Sequence, residues 1–255
     1  MGKVLFVYYP LEKNDLKPCV IIPCYNEERR LKVESFHSFL DSNKSIDLLF
    51  VNDGSLDKTQ VVLGQLEALF ENVSVLNLEQ NVGKASAIRK GMLHVLDKDY
   101  DHIGYFDADL ATPLKEIPRF LNIFEDCNID LVMGTRILRL GGDIQRKWYR
   151  HFLGRLFATF ASFSLQLPVY DTQCGAKFFR ADLARKIFQE SFISYWIFDV
   201  ELLFRMKQIK TSDEMKHSIY ELPLNKWIDE EGSKLGIRDF LKAPLELFKI
   251  FKRYK

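Results

Sequence analysis

The chain has 255 residues, enough for one large α/β domain or two small ones. Its hydrophobic fraction of 47% and charged fraction of 28% are ordinary for a globular protein. A net charge of +1 gives no overall field that would require nucleic acid as a partner, and no run reaches the roughly 18 apolar residues of a membrane-spanning helix.

Short apolar runs alternate with helical patterns through the first half of the chain, which is typical of a mostly parallel sheet flanked by helices. We predict strands at 19–23, 46–51, 73–78, 103–106 and 131–134. Polar clusters follow directly after several of these strands. Because ligands of such sheets bind outside the carboxyl ends of the strands, the clusters predict a binding site at that edge.

Two aspartates flank a small alanine directly after the fourth predicted strand. The carboxylates of Asp107 and Asp109 would therefore emerge near the strand end, on the same side. Two hard oxygen ligands beside a diphosphate suit Mg²⁺ or Mn²⁺, with phosphate oxygens and water filling the remaining positions. The pair predicts a metal site, and the alternative is a solvated acidic turn.

The turns after the second and third predicted strands also carry polar side chains. Asp53 stands where an acidic group can accept hydrogen bonds from a base or a ribose. The alternative is an acidic start to the next helix, which is stabilising in itself. Lys84 opens a predicted helix, where a cation is unfavourable for the helix dipole, and this indicates an anion nearby.

Five spaced motifs together resemble family 2 glycosyltransferases of the GT-A fold: PCYNE at 23–27, VNDGS at 51–55, NVGK at 81–84, DAD at 107–109 and GTR at 134–136. Three later segments resemble dolichyl-phosphate β-glucosyltransferases and related polyprenyl-phosphate glycosyltransferases: DTQCGAKFF at 171–179, WIFDVELL at 196–203 and GSK at 232–234. The resemblance spans nearly the whole chain. Ala176 departs from it, because the glucosyltransferase pattern commonly has Phe at this position.

The resemblance implies a role for each matching position. The donor nucleotide would be bound by Pro23, Tyr25, Asn26, Glu27, Asp53, Lys84 and Asp107. Asp107 and Asp109 would hold Mg²⁺ or Mn²⁺ on the diphosphate, which makes Asp109 a catalytic residue. Asp199 matches the general base of relatives that use a sugar hydroxyl as acceptor.

The acceptor decides which other side chains are needed. A sugar hydroxyl requires a base such as Asp199. A lipid phosphate is already anionic and requires cations instead. The stretch 136–155 is rich in them, and we predict that Arg136, Arg146 and Arg150 bind an acceptor phosphate. The alternative is a solvated basic loop.

Two segments in the second half are amphipathic. In the predicted helix 152–167, Phe152, Leu156, Phe160, Phe163 and Leu167 share one face, which is expected in the core or, alternatively, against a bilayer. In the C-terminal segment, Leu241, Pro244, Leu245, Phe248 and Phe251 share a face, with Pro244 at the helix start. The lysines and arginine around that face suit anionic lipid, and ordinary packing on the domain is the alternative.

Compartment and domain organisation follow from the remaining features. The four cysteines form no CxxC pair, so reduced thiols in the cytosol are expected, and the N-terminus lacks the features of a signal peptide. We expect a cytoplasmic protein at the inner face of the membrane, in peripheral contact with it. Residues 1–230 would form the GT-A domain, and residues 231–255 a basic amphipathic C-terminal helix.

Taken together, the motifs predict a metal-dependent, inverting glycosyltransferase. It would move a hexose, with glucose favoured, from a UDP-sugar to a polyprenyl or dolichyl phosphate. The alternative is extension of a cell-surface polysaccharide through a sugar hydroxyl. A nucleotidyltransferase also uses paired acids on a similar sheet, but it would carry a glycine-rich basic loop near the first strand, and PCYNE at 23–27 has none.

Overall fold

A computed structural model describes residues 16–126, 128–145, 148–229 and 237–255, with the backbone alone at 126, 148–151 and 237–241. Its strands are β1 (Pro18–Cys24), β2 (Asp47–Asn52), β3 (Val73–Asn77), β4 (His102–Phe106), β5 (Leu131–Thr135), β6 (Asp143–Gln145), β7 (Ala176–Arg180), β8 (Ile219–Pro223) and β9 (Lys226–Ile228). Its helices are α1 (Val33–Ser42), α2 (Thr59–Leu69), α3 (Lys84–Val95), α4 (Ile117–Asp126), α5 (Trp148–Leu165), α6 (Ala181–Ile187), α7 (Phe198–Lys207), α8 (Ser212–Ser218) and α9 (Ile237–Tyr254).

Seven strands form the central sheet, in the order β3-β2-β1-β4-β7-β5-β8. All neighbouring strands are parallel except at β7, which runs antiparallel to both β4 and β5. Strands β6 and β9 pair in a small separate sheet. The prediction of an α/β fold with a mostly parallel sheet is confirmed.

Helices cover both faces of the sheet, which explains why the predicted strands are continuous apolar runs. On one face, α1, α2 and α4 pack on the sheet, with Phe36, Leu63 and Phe120 in the core. On the other face, α3, α6 and α7 pack with α5 and α9 behind them. Side chains of β1 alternate between the two cores, as Val20 and Ile21 show. The carboxyl ends of β1, β2 and β4 consequently lie at one open edge.

Strand β7 was not predicted from the sequence, although it decides the geometry of the site. It lies between β4 and β5, and its register places Ala176 opposite Phe106 and Lys177 opposite Tyr105. An antiparallel strand inside an otherwise parallel sheet has no short-range signal, because its neighbours are far away in sequence. The segment 171–179 therefore reaches the end of β4 directly.

Helix α5 corrects the expectation that the apolar face of this segment lies in the core. Its buried side chains are the small or aliphatic Ala158, Ala161 and Leu165. The aromatic and leucine side chains of the face are exposed instead, at Phe152, Leu156, Phe160 and Phe163, and only Leu167, beyond the helix end, is buried. The helix is apolar around most of its circumference, and the face that packs against the domain uses only the small or aliphatic residues.

Helix α9 packs on α7 and α5, so the packing alternative for the C-terminal segment holds for one of its faces. Ala243, Leu247 and Ile250 are buried, and the hydroxyl of Tyr254 donates to Glu201 at 2.9 Å. The prediction that Pro244 starts this helix is wrong, because the helix begins at Ile237 and Pro244 lies inside it. Within the described part of the chain, no helix is long and apolar enough to cross a bilayer.

Candidate active site

A cavity of about 640 Å³ opens at the carboxyl ends of the strands, a volume typical of ligand sites. Of the predicted site residues, nine line this cavity together: Pro23, Tyr25, Glu27, Asp53, Lys84, Asp107, Asp109, Arg136 and Asp199. These residues come from turns that are far apart in sequence. The structure therefore assembles most of the predicted site in one place.

Asp53 is buried where it lines the cavity, at the end at which donor binding is predicted, and it holds the turn that precedes α3. Its carboxylate accepts hydrogen bonds from the backbone N–H groups of Val82, at 2.8 Å, and Gly83, at 3.0 Å. Gly83 has a φ of +86° at the start of α3, a conformation that a side chain would strain. Asp53 thus fixes the loop that presents Lys84.

Asn26 differs from its predicted neighbours, because it does not line the cavity. Its side-chain oxygen accepts a hydrogen bond from the backbone of Leu56 at 2.8 Å, and its own N–H donates to the hydroxyl of Ser55 at 3.0 Å. The residue has a φ of 53°, which asparagine tolerates better than most residues. Asn26 joins the turns after β1 and β2, and so it shapes the donor end from outside.

Asp107 follows β4 and forms an ion pair with Lys84, whose Nζ lies 2.5 Å from Oδ1. Its backbone N–H donates to the carbonyl oxygen of Gly175, the residue before β7, at 3.1 Å. A Cβ at Gly175 would overlap the carboxylate of Asp107. Glycine at this position is thus a condition for the observed placement of Asp107.

Asp109 is also matched by a cation. The Arg30 guanidinium lies 3.2 Å from its Oδ2 and 3.3 Å from Glu27 Oε2, and the backbone N–H of Ala111 donates to Asp109 Oδ1 at 3.0 Å. Burial and the negative charge of Asp107 raise the pKa of Asp109 above its usual range. A divalent cation would offset the repulsion between these two carboxylates.

The two carboxylates fit a metal that shares its coordination with a ligand. Among the described residues, no cluster of three or more His, Cys, Asp or Glu side chains is placed to hold a metal ion. Asp107 and Asp109 would thus supply a minority of the ligands. Mg²⁺ is commonly bound by one or two carboxylates together with substrate phosphates and water, which agrees with this donor set.

Asp199 lies in the first turn of α7, where it is buried and lines the cavity. Lys177 Nζ and the hydroxyl of Tyr105 both donate to Oδ1 of Asp199. Lys177 Nζ also donates to the carbonyl oxygen of Cys174 at 2.7 Å. Lys177 is fully buried and was not predicted as a site residue.

Of the three predicted acceptor arginines, the structure describes only the side chain of Arg136. Its guanidinium forms a two-point ion pair with Asp171, at 2.7 and 2.8 Å, and lies 5.2 Å from the ring centre of Trp227. Arg146 lies outside the described residues, and Arg150 belongs to α5 but its side chain lies outside them. Arg136 therefore lines the cavity, but its positive charge is already balanced by the ion pair with Asp171.

Other cavity residues escaped the sequence analysis. Arg30 lies three residues after the end of the PCYNE motif, but nothing in the sequence pairs it with Asp109. Arg155 is part of the basic stretch, and its guanidinium stacks 3.7 Å from the ring centre of Tyr170 while it donates to the Tyr170 carbonyl oxygen at 2.7 Å. Its position in the basic stretch was the signal that could have identified it.

Residues 19–188 match the family model described as glycosyl transferase family 2. A dolichyl-phosphate beta-glucosyltransferase of Trichomonas vaginalis is 30% identical over 250 residues, which covers 92% of this chain and 73% of that protein. Proteins of the same description from Dictyostelium discoideum and Homo sapiens are 32% and 31% identical, each over 85% of this chain and 68% of the relative.

Solved structures agree with the fold. Glucosyl-3-phosphoglycerate synthase from Mycobacterium tuberculosis, in complex with phosphoglyceric acid, matches with a TM-score of 0.69 and 16% identity, over 94% of this chain and 80% of that one. The same enzyme with Mn²⁺, UDP-glucose and glycerol 3-phosphate matches with a TM-score of 0.67 and 17% identity, over the same shares. The chain therefore belongs to glycosyl transferase family 2 and has the GT-A fold of these glycosyltransferases.

Proposed function

We propose that this chain transfers glucose from UDP-glucose to a polyprenyl phosphate of the dolichyl class, with inversion at the anomeric carbon. The observation that carries the proposal is the cavity itself, which brings the acids Asp107 and Asp109 together with the cations Lys84, Arg136 and Arg155. The dolichyl-phosphate relatives and the UDP-glucose complex of a structural neighbour support the choice of substrates.

The donor end of the cavity suits a nucleoside diphosphate. Asp107 and Asp109 would hold Mg²⁺ or Mn²⁺, which neutralises charge on the departing diphosphate. Lys84 and Arg30, now paired with these acids, are placed to turn towards the phosphates when a donor binds. Partial burial lowers the pKa of Lys84, but the charges of Asp107 and Asp199 raise it by more, so the residue stays cationic near neutral pH.

The reaction balances without a proton acceptor when the acceptor is a phosphate. One acceptor oxygen forms the bond to the anomeric carbon while the bond from that carbon to the diphosphate breaks, and UDP leaves with the electron pair. The acceptor oxygen is already anionic near neutral pH. The protein's task is then to orient the two substrates and to balance charge, a large contribution to catalysis in a cavity of low polarity.

A lipid acceptor also calls for contact with a bilayer, and two adjacent helices provide a surface for it. Helix α5 exposes Phe160 and Phe163, and its other face lines the cavity through Arg155 and Phe157. Helix α9, which contacts α5, exposes Leu245 and Phe248 next to Lys249, Lys252 and Arg253. Exposed apolar side chains beside cations suit the surface of an anionic membrane, at the cytoplasmic face.

The test is a transfer assay with the purified chain, UDP-glucose, Mn²⁺ and a short-chain polyprenyl phosphate, followed by mass spectrometry of the lipid. We expect one hexose to be added to the lipid phosphate, with no product in the presence of excess chelator or with Asp109→Ala. Parallel reactions with GDP-mannose and with oligosaccharide acceptors define the specificity. Transfer to a sugar hydroxyl but not to the lipid phosphate would contradict the proposal.

A further inference from the structure

A buried lysine contacts Asp199, which lines the cavity, and the chemistry described so far does not use it. Only 1% of Lys177 is exposed. Its ammonium group pairs with Asp199 and donates to the Cys174 carbonyl oxygen at 2.7 Å. Burying an ammonium group is costly unless it is paired, so the position of Lys177 requires a specific counter-charge.

The sheet register explains why the counter-charge is Asp199. Tyr105 on β4 and Lys177 on β7 are directly opposite each other, so their side chains leave the same face of the sheet. The first turn of α7 lies over that face and brings Asp199 to both of them. Lysine and tyrosine donate to the same oxygen, Oδ1, and Asp199 also lines the cavity.

The charges that face Asp199 are few. Lys177 forms an ion pair with it, the Tyr105 phenol donates a hydrogen bond without carrying a charge, and Lys84 is a further cation whose charge interacts with it. Lys84 itself is paired with Asp107. Arg136 is likewise matched by Asp171. Lys177 is therefore the cation dedicated to Asp199 among the described residues.

An unmatched carboxylate in this place would repel an anionic acceptor strongly, because charges in a buried site are poorly screened. A sugar hydroxyl would feel no such repulsion. We propose that Lys177 is a specificity-determining residue, which cancels the charge of Asp199 so that an acceptor phosphate can approach the anomeric carbon. The inference rests on the proposed function and adds to it the side chain that admits an anion.

The test uses charge-matched variants in the assay with UDP-glucose, Mn²⁺ and a short-chain polyprenyl phosphate. Lys177→Met leaves the aspartate uncompensated, and we expect the KM for the lipid phosphate to rise by about tenfold or more. The double variant Lys177→Met with Asp199→Asn removes both charges, and its acceptor KM should return to within about threefold of wild type. Tyr105→Phe removes a hydrogen bond without changing charge and should leave the acceptor KM within about twofold.

Affinity for UDP-glucose, measured by calorimetry, separates this effect from general damage and should stay within about twofold in Lys177→Met and in Tyr105→Phe. If Lys177→Met does not fold, the double variant still tests the inference, because it has no uncompensated buried charge. An acceptor KM well above the expected range of about threefold in this variant would count against the inference. An unchanged acceptor KM in Lys177→Met, or a double variant as impaired as the single one, would overturn the inference. Absence of transfer to any phosphate by the wild type would instead overturn the proposed function.

Discussion

At the scale of single residues, the donor end depends on one glycine that carries no chemistry of its own. The carboxylate of Asp107 occupies the space where a Cβ of residue 175 would be. Glycine is thus needed here because the Asp107 carboxylate lies close to its Cα, and the backbone conformation does not itself require glycine. The placement of Asp107, a predicted donor-binding residue, is controlled from the loop before β7.

We expect Gly175→Ala to displace Asp107 and to weaken binding of UDP-glucose in the presence of Mn²⁺ by about tenfold or more, with the protein still folded. Isothermal titration calorimetry measures the affinity, and circular dichroism checks the fold. Gly64→Ala is the matched control, because a Cβ at Gly64 in α2 meets nothing within 4 Å. Equal affinities in the two variants would contradict the steric role.

The residues of the site differ in how far the sequence predicted them. Asp107, Asp109 and Lys84 stand in short motifs at strand and helix ends, and the structure places all three in the cavity. Lys177 and Gly175 could not be assigned, because their roles depend on the pairing of β7 with β4, about 70 residues away along the chain. A sequence motif predicts the turn in which it stands, but it does not predict which strand lies beside that turn.

At the scale of elements, α5 shows where pattern reasoning failed and why. A wide apolar surface is usually buried, but the packing of α5 uses its small residues and leaves the aromatic ones outside. Phe163 is 84% exposed, which is unusual for phenylalanine on a helix that also borders a ligand cavity. Hydrophobic periodicity alone does not distinguish a core face from a face that meets lipid.

We expect Phe160→Ser with Phe163→Ser to reduce binding to vesicles of phosphatidylcholine and phosphatidylserine by about tenfold, since each exposed ring loses its burial in the lipid. Vesicle sedimentation measures this, and the melting temperature should stay unchanged. Leu69→Ser is the control, because Leu69 is also exposed, at the end of α2 and on the other side of the sheet. A similar loss in both proteins would argue against a specific docking face.

Helix α9 packs on the domain with one face and leaves the other face exposed. One face is held by Ala243, Leu247 and Ile250 in the core, and the Tyr254 hydroxyl accepts a hydrogen bond from Arg205 at 3.1 Å. The opposite face carries Phe248 and the lysines into solvent. Proline inside the helix misled the boundary prediction, since Pro is far more common in a first turn.

At the scale of the whole molecule, the parallel half of the sheet was predicted well. Its inner strands β1, β2 and β4 are apolar runs followed by turns with polar clusters, and burial on both faces produces that pattern, whereas the edge strand β3 is only partly buried. The second half was predicted poorly, because β7 and β8 pair over long distances and β6 and β9 have three residues each. The site lies where the two halves meet.

Stability of the molecule should depend on pH through His102. This side chain is buried, neither ring nitrogen has a hydrogen-bond partner among the described residues, and burial lowers its pKa to about 4. The unfolded chain has the ordinary pKa of about 6.5, so acid favours unfolding. The free energy of unfolding should fall by about 3 kcal/mol as the pH decreases from about 6.5 to about 4, and it should not change through His102 above that range.

Urea denaturation at several pH values measures this dependence. His102→Leu removes the titrating group, so its free energy of unfolding should vary less between pH 6.5 and pH 4 than that of the wild type, by about the same 3 kcal/mol. The comparison cancels the contributions of the carboxylates, which both proteins share. Parallel pH curves for the two proteins would show that His102 does not contribute.

The central claim is that Asp107 and Asp109 receive a divalent ion together with the diphosphate of a nucleotide sugar. The most direct test is a crystal structure with Mn²⁺ and UDP-glucose, with the manganese located by anomalous diffraction. We expect the ion to contact at least one of the two carboxylates and the diphosphate, with the glucose directed towards Asp199. A diphosphate bound elsewhere, or bound while Lys84 and Arg30 still pair with both acids and no ion is present, would contradict the claim.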